Sequence, residues 1–253
     1  MPVPEPVADV LAAERATIND LWSALEATID GSWTALDRYD TDALAAWEAQ
    51  MIPVAEAAQF HAAAVTAAYL AAVETAATGE PVLAEPVEVA DVSTEALRGA
   101  PAVDVWHRPA KTIWAALADD VAVGTAIVLG LRRALEIGET DLQLARTSTA
   151  RRVMSVRSTI VGYRRAPSGR ACDVCIAASR RRHRKTEPMP IHARCRCSVL
   201  PIFRDVGDPG DLVDPEALAA AGVQPIAVHH HGETGPTLTP AGRHFTGPRE
   251  VAT

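Results

Sequence analysis

Apolar residues recur at helical intervals through the first third of the chain. Val7, Leu11, Ile18, Trp22, Leu25 and Ile29 line up with acidic and polar side chains between them, which describes one apolar stripe on a helix. A second helix is predicted after Gly31, where Leu44, Trp47 and Met51 keep the spacing. Pro53 marks a break, and residues 57–77 form an alanine-rich run that ends at Thr78-Gly79 and Pro81. Trp22, Trp33 and Trp47 fall where these helices face each other and read as packing residues.

The pattern changes at residues 79–103, which carry three prolines before Val103 and no aromatic side chain; we expect a linker with one helical piece at 93–98. Helical spacing resumes near Pro109 with Ile113, Trp114 and Leu117, runs through 121–135 and is expected to stop near Gly138. Thr140 then opens a capping box with Gln143, and Leu142, Ala145, Thr149, Val153, Val156 and Ile160 follow on one face. After Ser158 the chain turns β-favourable, with one strand before the turn signal at 166–169 and a matching one at 197–203. The fold class expected is mainly α: helical N-terminal and middle regions, then a small Cys/His-stapled β-hairpin module and a flexible C-terminal tail. The segments are an acidic helical region 1–78, a linker 79–103, a second helical region 104–158, a basic β module 159–204 and a tail 205–253. His229, His230 and His231 sit in that tail without other ligand types and read as an unspecific polar stretch.

Composition sharpens this. The chain has 253 residues, 48% of them apolar, but alanine supplies 49 and aromatics only 4%. That favours helix and disfavours an all-β sandwich or wholesale disorder. The apolar stretch at 121–131 is flanked by Asp119-Asp120 and Arg132-Arg133 and falls short of the roughly 20 residues a spanning helix needs, so no membrane association is expected. The opening residues MPVPEPVADV lack a basic and an apolar leader pattern, and a reducing cytoplasm is the expected setting.

The net charge of −8 conceals a segregation. Residues 1–145 hold 7 Lys/Arg against 23 Asp/Glu, 146–204 hold 15 against 2, and 205–253 hold 2 against 7. A basic block of this density either meets a polyanion or pairs with the acidic half of its own molecule.

All four cysteines lie inside that block, as Cys172-x-x-Cys175 and Cys195-x-Cys197, with His192 three residues before Cys195. Two such pairs can surround one tetrahedral cation, structural zinc above all. Five candidates exist for four places: Cys172, Cys175, Cys195 and Cys197, or Cys172, Cys175, His192 and Cys195. Reduced cysteines or disulfides are the competing readings. Between the pairs lies SRRRHRKTEP, where Arg180, Arg181, Arg182, Arg184 and Lys185 can meet phosphate oxygens. No aromatic side chain interleaves the run, so any nucleic-acid contact would be to the backbone and salt-sensitive.

The strings CDVC and MPIHARCRCSVLP, following a basic strand and the helix DLQLARTSTARRV, resemble the C-terminal signature of the phage Mu F-like head morphogenesis proteins, particularly those from phages of actinobacteria. That signature joins a Cys-x-x-Cys knuckle to a Pro-x-His-x-x-Cys-x-Cys segment and a later proline, here Pro190, His192, Cys195, Cys197 and Pro201. The resemblance covers about residues 105–203 and is strongest over 160–203. It implies a minor capsid protein, incorporated in few copies near the portal and assisting procapsid assembly or the handling of packaged DNA. Its expected partners are portal, scaffold or capsid proteins and double-stranded DNA, first in the host cytoplasm and then in the virion.

Some members of that family are described as capsid maturation proteases, which is the alternative reading; Cys195 near His192 could serve as nucleophile and base. The crowding of three further cysteines fits ligation better, and no Gly-x-Ser-x-Gly, His-Glu-x-x-His or Gly-rich phosphate loop occurs. A zinc-ribbon nucleic-acid module is the third reading.

Overall fold

The computed structural model describes residues 4–36, 39–168, 171–192, 194–208 and 226–240. Three long helices dominate: α1 (Glu5–Thr34), α2 (Thr41–Thr78) and α6 (Val123–Val156). Short helices α3 (Thr94–Arg98), α4 (Ala102–Trp106) and α5 (Arg108–Ala118) lie between α2 and α6 in sequence, and α7 (Asp173–Ala178) follows the first strand. The three-stranded antiparallel sheet has the order β2 (Arg182–Arg184), β1 (Ile160–Ala166), β3 (Ser198–Phe203), and β4 (Ile226–His231) pairs with β5 (Gly235–Pro240) as a separate hairpin.

The expected stripe on α1 is buried as one face, from Val7 through Trp33, and the helix runs without interruption past Gly31. Asp40 caps α2 by accepting from the Ala43 N–H, and Gly79 in the left-handed region ends it. Pro53 does not break α2, contrary to expectation. It stands on the solvent face, as does Ala49, so the carbonyl deprived of its donor can be hydrated. α2 is long and apolar enough to cross a membrane by length and composition alone, and half of its most apolar window is buried within the fold. Its hydropathy comes largely from alanines such as Ala55, Ala62, Ala63 and Ala67, which let neighbouring helices approach.

α6 also continues where the sequence predicts a stop. Gly138 lies inside the helix, where an added Cβ would come within 2.9 Å of the Ile29 side chain, so it marks close contact with α1. The Thr140 hydroxyl donates to the Glu136 carbonyl one turn back instead of capping a new helix.

Two large apolar clusters lie along the long helices. At one end Trp22, Trp33, Trp47 and Trp106 pack with Leu44, Met51 and Ile113, with Trp33 and Trp47 edge to face at 4.8 Å. At the other end Val7, Leu11, Leu70, Val73, Val153 and Met154 share a cluster with β1, β3 and the buried cysteines. The β module is therefore built onto the helices. The Tyr69 hydroxyl on α2 donates to the Val199 carbonyl on β3 at 2.8 Å, and Gln143 Nε2 on α6 donates to the Cys197 carbonyl at 2.9 Å. Pro201 is accommodated because β3 is an edge strand.

The segment read as a linker lies against the helices, with Val92, Thr94 and Arg98 buried. Within the stretch read as a flexible tail, residues 226–240 form a hairpin that touches the body through backbone bonds between Ile191 and β5. The side chains of His229, His230 and His231 lie outside the described residues.

Candidate metal centre

Three segments carry the cysteine and histidine side chains to one place. Cys172 stands at the N-cap of α7 and Cys175 in its first turn, so the Cys-x-x-Cys pair opens a helix rather than occupying a plain turn. His192 and Cys195 flank a tight reversal closed by the Cys195 N–H donating to the His192 carbonyl at 3.1 Å. Arg194 within it adopts φ +62°, a conformation uncommon for a side chain with a Cβ and frequent where a site fixes the backbone. Cys197 follows at the entry to β3.

The ligand atoms form two triplets that share Cys175: Cys172, Cys175 and His192, and Cys175, Cys195 and Cys197, each within 4.8 Å of one another. His192 Nε2 lies 2.9 Å from Cys175 Sγ and 3.3 Å from Cys172 Sγ, and Cys175 and Cys195 sulfurs are 3.9 Å apart. Sulfur atoms bound to one tetrahedral zinc at about 2.3 Å are separated by about 3.8 Å, close to the Cys175–Cys195 spacing. All four cysteines are free thiols, with Cys172 exposed and the other three buried. These residues can hold a metal ion without disulfides. Cys172, Cys175 and Cys195 are common to both four-ligand sets expected from the sequence, while His192 and Cys197 belong to different triplets.

The electrostatics divide the four sulfurs, favouring the thiolate at Cys172 and Cys195 and the thiol at Cys175 and Cys197. Hydrogen bonds from Cys175 and His192 hold the Cys172 thiol down at about 3. Cys195 is pulled well below its ordinary value by Cys175 and Cys197, with the Arg165 charge adding to the effect. Cys175 is pushed upward by the surrounding thiols.

Arg165 is the residue the sequence did not flag. It lies on β1 with no exposed surface, and its Nη1 reaches Cys195 Sγ at 3.3 Å and Cys175 Sγ at 3.4 Å. Its Nη2 donates to the Pro190 carbonyl. Burial alone would lower its pKa, but the Cys195, Cys175 and Cys197 sulfurs reverse that and raise it.

The basic block divides into paired and projecting members. Arg146 pairs with Glu14, Arg157 with Glu74 and Glu85, and Arg196 with Glu26 and Glu139. Arg196 also lies 4.8 Å above the Trp22 ring. Part of the charge segregation in sequence is thus neutralised by carboxylates of the acidic half of the same chain. Of the predicted phosphate-contacting residues, Arg182 pairs with Asp208 and Lys185 Nζ donates to the Arg157 carbonyl at 2.6 Å. Arg180, Arg181 and Arg184 are exposed and make no ion pair among the described residues. The run is not a simple loop: Arg182 to Arg184 form edge strand β2, with His183 buried and stacked on Tyr163 at 4.9 Å.

Compared with family models, with curated proteins and with solved structures, the chain matches none.

Proposed function

We propose that this chain is a minor structural protein of a tailed-phage head, incorporated in few copies near the portal, in which the Cys/His cluster holds one structural zinc ion. The observation that carries the structural role is the position of the cluster. The Cys175, Cys195 and Cys197 sulfurs lie in a core shared with α1, α2 and α6, and Arg165 backs Cys175 and Cys195, an arrangement suited to fastening a β module onto a helical body. The resemblance of the CDVC and MPIHARCRCSVLP strings to the Mu F-like head proteins supplies the setting. Arg180, Arg181 and Arg184 offer packaged DNA or an acidic capsid surface a small set of exposed cations.

Mass analysis of purified procapsids and virions tests this reading. The expected result is the protein at a copy number far below that of the major capsid protein. Its absence from both particles would overturn the proposal. Native mass spectrometry of protein purified without chelator should show about one zinc per chain, and a folded, metal-free protein would refute the zinc assignment.

One observation favours the alternative of a capsid maturation protease: exposed Cys172, with its thiol held low, lies 3.3 Å from His192 Nε2. Co-expression with the capsid precursor separates the readings. Cleavage lost in Cys172→Ser but retained after metal removal would establish the peptidase.

A further inference from the structure

The acidic part of the chain, residues 1–145, holds only 7 Lys/Arg. Four of them, Arg98, Arg108, Lys111 and Arg133, line a single cleft of about 660 Å³ between α5, α6 and the β4–β5 hairpin. Helical spacing makes this possible. α5 presents Arg108, Lys111 and Ala115 along one face, and α6 presents Arg133, Glu136 and Thr140 along the face opposite. The burial of Ile113 on α5 and of Ala134 on α6 turns these polar faces toward the cleft.

Clustered cations repel one another, and the fold only partly offsets them. Asp141 holds Arg98 Nε at 2.5 Å, and Glu136 lies 3.6 Å from Arg133. Lys111 makes no ion pair among the described residues. The remaining carboxylate comes from the turn of the β4–β5 hairpin, where Glu233 accepts from both Arg108 amino groups at 2.5 and 2.7 Å and approaches Arg98 Nη1 at 3.5 Å. A planar fork gripping two oxygens of an inserted carboxylate is also how arginine grips phosphate. Burial lowers the pKa of Arg133, Glu136 opposes that, and the nearby Arg108 and Arg98 charges add to the lowering.

We propose that this cleft binds a compact phosphate-bearing ligand, a di- or triphosphate, with Arg108, Arg133 and Lys111 as its cations and Glu233 as an internal anion that the ligand displaces. The volume matches that of small-molecule pockets and is too small for a nucleic-acid duplex. The cleft lies beside the metal centre, since His192 lines both. The inference is independent of the capsid assignment and of metal occupancy.

Calorimetric titration of the full chain with inorganic tripolyphosphate tests it, with ATP and a duplex oligonucleotide in parallel. Saturable binding is expected, weakened about tenfold or more by Lys111→Ala and by Arg133→Ala, each of which removes one charge-assisted contact. Glu233→Gln should tighten binding several-fold by removing the competing carboxylate, and Arg151→Ala, at an exposed position on α6 that does not line the cleft, should leave it unchanged. ATP binding more tightly than tripolyphosphate would identify a nucleotide as the ligand; equal affinity would identify the polyphosphate itself. The proposal is overturned by no binding to folded protein, by binding insensitive to Lys111→Ala and Arg133→Ala, by weaker binding in Glu233→Gln, or by those substitutions affecting only the duplex.

Discussion

The Arg165 guanidinium faces the Cys195 sulfur at 3.3 Å from within the core, where a buried cation would ordinarily meet a carboxylate. Burying it without a partner would cost several kcal/mol, so the thiols and the guanidinium stabilise each other's charged forms. A zinc centre with three or four thiolates carries net negative charge, and Arg165 is placed to offset it. Replacing Arg165 with Met, which keeps much of the packing, should lower zinc affinity by about 10–100-fold, the range for lost outer contacts at metal sites. Arg165→Lys should recover part of that loss. Competition with a chromophoric chelator measures both, and unchanged affinity in a folded Met variant would contradict the role.

Local periodicity made the α1 stripe, the strand pair and the Cys/His constellation legible in the sequence, because each depends on residues close together in the chain. The breaks expected at Pro53 and near Gly138 did not occur, because tertiary placement decided them: Pro53 faces water and Gly138 faces Ile29. Arg165 was not legible, since an arginine in a basic strand has no local mark of burial. The cleft was hidden for the same reason, its cations being spread from Arg98 to Arg133 and gathered only when α5 folds against α6.

His183 makes stability depend on pH. It is buried against Tyr163, its Nε2 has no hydrogen-bond partner among the described residues, and Glu187 is 3.9 Å from Nδ1. Burial, with Arg181 and Arg165 adding to it and Glu187 opposing, lowers its pKa from 6.5 to about 4. The unfolded chain therefore binds the extra proton first as pH falls. The neutral-histidine contribution is complete above the unfolded value and is lost progressively as pH drops toward the folded one. Between neutral pH and about pH 5 the loss should be about 1–2 kcal/mol. His183→Phe, which keeps a ring on Tyr163, should flatten this part of the pH–stability curve in urea titrations; an unaltered slope would exclude His183 as the source.

Gly130 should show packing overriding helix propensity. It lies inside α6, where alanine is ordinarily favoured by about 1 kcal/mol. An added Cβ, however, would stand 2.7 Å from Ile113 Cγ1 and 2.8 Å from the Trp33 ring. Gly130→Ala should therefore destabilise by about 1–2 kcal/mol, since overpacking outweighs the propensity gain. Gly124→Ala, in the same helix with nothing within 4 Å of the added Cβ, should be neutral or stabilising. Equal signs for the two substitutions would refute the close approach of α6 to α5 and α1.

Glu14 and Arg146 form the buried ion pair that joins α1 to α6, with side chains 2% and 4% exposed. Ser198 at the start of β3 accepts from Arg146 Nη2 at 2.7 Å and donates to the second Glu14 oxygen at 2.8 Å, so the pair also anchors the strand after Cys197. Removing either partner leaves an uncompensated charge in the core, and Glu14→Ala or Arg146→Ala should each cost about 3–5 kcal/mol. Replacing both with Ala removes the two charges together and leaves neither unpaired. The double variant should therefore lose less than the two single alanine variants combined, with a coupling of more than about 1 kcal/mol. Denaturant unfolding of the four proteins measures it. Additive losses would mean that the two residues act separately, and the Arg196–Glu26 pair and apolar packing would then be what holds α1 to the β module.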